Sequence, residues 1–128
     1  MTNSFKNFDK RYVHESTKLA SGLGDFNLTQ MRIFDLMTSS FSPVKSDKST
    51  YQISFDEIRK YLNVSSKKVN NEVMNNIMEM LTCSFVNLDS NTNKIDIIPI
   101  FSDINVDREN KKVYYSFSPK FIPYLIYR

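Results

Sequence analysis

Lys67, Lys68, Asn71 and Asn75 fall on one side of a stretch whose other side carries Val69, Val73, Ile77, Met80 and Leu81. At about 100° per residue the second set forms one apolar stripe, so the first set faces outward together with Met74 and Met78. A lysine ammonium suits a phosphate oxygen, and an asparagine amide suits either phosphate or the edge of an adenine. Arg59 and Lys60 end the preceding helical stretch and add charge, and Ser65 and Ser66 stand at the head of this one. Lys94 lies near the tip of one extended ribbon, and Arg108, Lys111 and Lys112 near the tip of another. There they are placed to reach a flanking backbone or a minor groove. These twelve residues are the candidate nucleic-acid contacts. A polar face with two lysines is also what an ordinary solvated helix presents, and Glu72 and Glu79 border it and weaken a phosphate field.

Other chemistry is excluded by what is scarce. His14 is the one histidine and Cys83 the one cysteine. No histidine pair or His/Cys set exists to hold a catalytic or structural metal, and no disulfide can close within the chain. Cys83 follows the apolar stripe and reads as a small core residue with no base nearby. Gly22 and Gly24 are the two glycines. Their number and spacing leave no phosphate-binding loop and no G-x-G-x-x-G fingerprint. Asp103, Asp107 and Glu109 read as a solvated strand and turn. No nucleophile with a base can be assembled, so the expectation is a protein that is not an enzyme and needs no cofactor.

The elements that must position the contact face follow from punctuation and period. With 128 residues, 41% hydrophobic and 24% charged, the chain is one globular domain able to bury a core. A net charge of +3 permits a polyanionic partner. No apolar run approaches a membrane span, and no signal peptide precedes the domain. With the lone cysteine this implies a cytoplasmic setting. Residues 1–24 are polar, with a short helix expected from Tyr12 to Ser21 and ended by Gly22 and Gly24. The domain proper is 25–128. Asn27 caps a helix with Leu28, Met31, Phe34 and Met37, and a loop runs from Ser42 to Ser49. Tyr51 to Ile53 is extended, and Ser54 to Glu57 is a capping box opening a helix with Phe55, Ile58, Tyr61 and Leu62 inside. After a turn of about three residues the second helix runs to about Thr82, a helix-turn-helix. Then the period changes. Phe85 to Asp89 is a strand, Lys94 to Val106 a second one broken at Pro99, and Lys111 to Phe117 a third with Val113, Tyr115 and Phe117 on one face. Ser118-Pro119 opens a last helix. Helices, a helix-turn-helix and then β-ribbons are the order of an α+β winged-helix domain.

Four stretches carry a resemblance. They are Asn27-Leu28-Thr29-Gln30-Met31-Arg32-Ile33-Phe34, Tyr51-Gln52-Ile53-Ser54-Phe55-Asp56-Glu57-Ile58, Ile98-Pro99-Ile100-Phe101-Ser102-Asp103-Ile104, and the run from Val113 to Leu125 with its Ser118-Pro119-Lys120-Phe121. Spread over about residues 12–127, they resemble the first winged helix of the plasmid replication initiator (Rep) family, the tandem winged-helix initiators of iteron-controlled plasmids. The resemblance implies binding of double-stranded DNA at origin repeats and repression of the protein's own promoter. It implies a homodimer made through this first module, and recruitment of a host replication helicase. In that family the second winged helix makes the main base contacts, and this chain stops where that module would begin. The resemblance would put the dimer surface on the β-ribbon around Pro99–Val106 and Val113–Phe117. Two other readings stay open. One is a protein-interaction module with little DNA affinity of its own, favoured by outward Met74 and Met78, by the Tyr-rich C-terminus, and by Glu72 and Glu79. The other is a single-module transcription regulator.

Overall fold

The structure, a computed structural model, describes residues 22–41 and 50–125. The helix expected from Tyr12 to Ser21 and the loop from Ser42 to Ser49 lie outside the described residues. Helix α1 spans Leu28–Thr38. Asn27 caps it, accepting from the Gln30 N–H while the Gln30 side chain accepts from the Asn27 N–H. Strand β1, Tyr51–Ser54, runs straight into helix α2, Phe55–Leu62, because Ser54 both closes the strand and forms a capping box with Glu57. Asn63 ends α2 in the left-handed region at φ 56°, and the Val64 N–H reaches back to the Arg59 carbonyl. Ser65 then caps the second helix of the pair, whose segments are α3 (Ser66–Lys68), a π turn (Val69–Val73) and α4 (Met74–Met80).

Five strands complete the domain in two sheets. Strands β1, β5 (Lys112–Phe117) and β4 (Phe101–Asp107) form an antiparallel sheet with β5 in the centre. Strands β2 (Ser84–Asp89) and β3 (Lys94–Pro99) form a separate two-stranded ribbon. The expected single run from Lys94 to Val106 is therefore two strands of two sheets. The chain passes from one to the other at buried Ile100, directly after Pro99. The last helix also starts later than Ser118-Pro119 suggests. The Ser118 carbonyl accepts from both Phe121 and Ile122, so a turn precedes α5, Ile122–Leu125.

The core is aromatic. Phe34 on α1 is fully buried and meets Phe26, Phe101, Phe117 and Phe121 at centroid distances of 5.4 to 6.4 Å. Alternation on β5 places Val113, Tyr115 and Phe117 inside, as their spacing predicts. The Tyr115 hydroxyl, buried among them, donates to the Met37 carbonyl at 2.6 Å. Tyr115→Phe should lower stability by about 1 kcal/mol, since it leaves that carbonyl without its donor. A denaturant melt reads this directly. Burial also pushes the Tyr115 phenol above its ordinary value, with the charges of Tyr51 and Glu57 adding to the effect. The folded state thus holds the proton more tightly than the unfolded one. This contribution is whole below about pH 10 and is lost as pH rises past it. The Tyr115→Phe variant should lack that alkaline loss.

Gly22 shows a second requirement. A Cβ there would stand 2.1 Å from Cε1 of Phe85, a ring fully buried against Phe121 and Tyr124. The backbone must approach that ring closely, which only glycine permits. Gly22→Ala should cost about 1–3 kcal/mol through overpacking, read as a melting temperature lower by roughly 5 °C or more.

Candidate nucleic-acid interface

The second helix of the pair is not a uniform α-helix. The Met74 N–H donates to the carbonyls of Val69 and Asn71, and the five-residue step to Val69 defines the π turn. In a regular helix Met74 would lie about 140° from Val69. The wider turn brings it above Val69 instead, and both side chains are buried. Met74 is therefore a core residue, not the outward one that α-helical spacing places there. Met78 remains exposed. At the far end the hydrogen bonds from Leu81 to Met78, Thr82 to Glu79 and Cys83 to Met80 tighten the last turn. The helix ends at Met80, short of the expected Thr82, and Leu81 is turned outward rather than inward.

What stays outside is the basic and amide set. Lys67, Lys68, Asn71 and Asn75 are all exposed, with Glu72 and Glu79 beside them. Ser65 accepts from the Lys68 N–H, which makes Lys67 and Lys68 the second and third residues of the first turn. Positive charge there opposes the helix macrodipole and costs about 0.3–1 kcal/mol per residue. Neither lysine has an ion-pair partner among the described residues. Neither the local electrostatics nor an ion pair within the described residues favours their charge.

Arg59 and Lys60 differ. Asp56 pairs with both, at 3.0 and 3.1 Å, and the two cations hold its carboxyl below the usual range. Asp56 offsets one of the two charges, so they add less to an external field than the count of basic residues suggests. The β4–β5 ribbon is the wing. Its tip is closed by Asp107, whose carboxylate accepts from the backbone and side-chain nitrogens of Asn110 and is thereby kept in its charged form. Arg108 at that tip donates to the Asn70 carbonyl at 2.7 Å. A cavity of about 210 Å³ lies between wing and helix pair, lined by Phe55, Asp56, Arg59, Ser66, Val69, Asn70 and Lys111. Arg59, Ser66, Arg108 and Lys111 are thus gathered at one place. Lys112 is half-buried next to the wing tip, paired in register with Asp107 and Ser54. Lys94 belongs to the other sheet, opposite Asp89 at the end of β2–β3.

Sequence reasoning missed Asn70, which enters through its carbonyl, and Asn76. The Asn76 carbonyl accepts from Gln30, its side-chain oxygen from Asn27, and its own amide donates to the Glu72 carbonyl. These bonds lock α1 to the second helix. Backbone acceptors leave no trace in residue identity. Cys83 is half-buried, and burial together with Asp25 and Glu79 pushes its thiol up. No group of three His, Cys, Asp or Glu side chains gathers among the described residues.

A helix-turn-helix pressed against a three-stranded sheet, with a hairpin wing beside the second helix, defines a winged-helix domain. The sequence pattern of the initiator replication protein family, WH1 domain, matches residues 12–127, and the chain belongs to that family. It is a replication-initiator WH1 domain. The fold is similar to the crystal structure of the MSBI1.176 WH1 domain, a replication protein isolated from a multiple sclerosis patient. That match has a TM-score of 0.61 and 12% identity, covering 87% of this chain and 88% of that one. No curated protein matches the sequence closely enough to add to this. Among the described residues no helix is long and apolar enough to cross a membrane.

Proposed function

We propose that this domain binds double-stranded DNA at the repeated sites of a plasmid origin, without catalysis or cofactor, and that it represses its own promoter as a homodimer. Lys67 and Lys68 carry the reading: they are exposed, unpaired among the described residues, and set where the fold disfavours positive charge. They meet phosphate. Asn71 and Asn75 follow them toward the bases, and the wing contacts a flanking strand. Such a surface binds through counterion release. With about four phosphate contacts, affinity falls roughly a hundredfold between about 50 and 200 mM salt. A host replication helicase is a further partner in this reading, and the cytoplasm is where the domain works.

A second copy of the chain is the partner for the β2–β3 ribbon. Val86 pairs with Ile97 and Leu88 with Ile95, so all four side chains share one face. They are exposed at 36%, 69%, 66% and 65%. A two-stranded ribbon is marginal by itself, and an apolar face of this kind marks an interaction site. The paired arrangement is one that a two-fold axis can match against itself. On the strands around Pro99–Val106 and Val113–Phe117, by contrast, Phe101, Val113, Tyr115 and Phe117 face the core. The experiment is a titration against a labelled AT-rich duplex at two salt concentrations, with solution mass measured in parallel. A steep salt dependence supports DNA binding. Failure to bind at low salt, with a clean dimer, would leave self-association as the function of this module.

A further inference from the structure

We propose that Arg108 is a positioning residue that latches the wing onto the π turn of the second helix, rather than a contact to DNA phosphate. The inference rests on the reading of this face as a DNA-binding surface.

The geometry is specific to one carbonyl. A regular helix would give the Asn70 carbonyl to the Met74 N–H, four residues on. Here the Met74 N–H goes to Val69 and Asn71 on either side, and the Arg108 guanidinium takes Asn70 at 2.7 Å. The π turn and the wing contact therefore occur at the same acceptor. A charged donor makes this a stronger bond than the amide it stands in for. The wing tip is itself rigid, since Asp107 holds Asn110 by two bonds.

The wing has a second anchor. The Phe55 N–H, at the first residue of α2, donates to the Lys111 carbonyl at 2.9 Å. One tip thus holds both helices of the pair, α2 through Lys111 and the second helix through Arg108, with the cavity between these two points. Lys111, Lys67 and Lys68 are presented at a set spacing before any DNA arrives. Binding then needs less ordering, which is how preorganisation raises affinity. The same latch keeps Met74 inward, because its position depends on the π turn.

The test starts without DNA, on the whole chain. Arg108 is exposed, so Arg108→Ala should leave the fold intact. Amide shifts and hydrogen exchange should change together at residues 70–74 and 109–111, two segments far apart in sequence. Arg108→Lys, which keeps a cationic donor, should restore part of the protection. In duplex titrations Arg108→Ala should lose about fivefold in affinity while the slope of log affinity against log salt stays unchanged. Unmoved amides at 70–74 would overturn the latch. A salt slope shallower by about 0.9 would overturn it too, because that is the signature of one lost phosphate contact. If the unaltered protein binds no duplex, the DNA reading fails, and the amide measurement still decides the latch.

Discussion

Lys67→Glu combined with Lys68→Glu should abolish duplex binding while making the helix slightly more stable. The two effects have opposite sign for one physical reason. Both residues sit in the first turn, where the exposed N–H groups carry partial positive charge. Glutamate there is favourable, and at position 68 it can complete a capping box with Ser65. The melting temperature should hold or rise. In the proposed DNA-binding mode each lysine removed takes away a phosphate contact, and each glutamate added repels the next phosphate. The expected loss is about a hundredfold or more, and the slope of log affinity against log salt should fall by about 1.8 for the two contacts. Solution mass should not change. A variant that binds DNA as before would show that the basic head of this helix is merely solvated, and would move the DNA-contact assignment off this face.

Leu88→Glu combined with Ile97→Glu should turn a dimer into a monomer. The two side chains lie on adjacent cross-strand pairs of the same ribbon face and are among the most exposed large apolar groups of the described residues. In a two-fold interface each substitution is met twice, so four carboxylates would enter one apolar contact. Dissociation should strengthen by about a hundredfold or more, since burying an unpaired charge is so costly. The monomer should keep its fold, because neither side chain packs in the core and exposed substitutions of this kind change stability by about 0.5 kcal/mol at most. Sedimentation or light scattering across a concentration series reads the outcome. A variant that dimerises as tightly as the parent would remove β2–β3 as the self-association surface.

Much of the candidate interface is legible in the residues themselves. Lys67, Lys68, Asn71 and Asn75 are outward as the apolar spacing requires, and the departure comes at the end of the π turn. Met74 follows the turn, and its side chain is inside. A one-residue change in hydrogen-bond step leaves no mark on composition, so period counting does not reveal it. The pairing of Arg59 and Lys60 with Asp56 is within reach of sequence, as three- and four-residue spacing on a helix predicts such contacts.

What the sequence determined alone was local: the helix cap at Asn27, the capping box at Ser54, the alternation of β5, and hence the order of elements. Each depends on residues within a few positions, where side-chain chemistry and backbone geometry are coupled directly. Tertiary structure decided the division of the strands into two sheets and the capture of the Asn70 carbonyl by Arg108, 38 positions away. It also decided the exposure of the β2–β3 face. Val86, Leu88, Ile95 and Ile97 look like core residues in any window of sequence. Only the filled space around Phe34, Phe85 and Phe117 determines that no room remains for them inside.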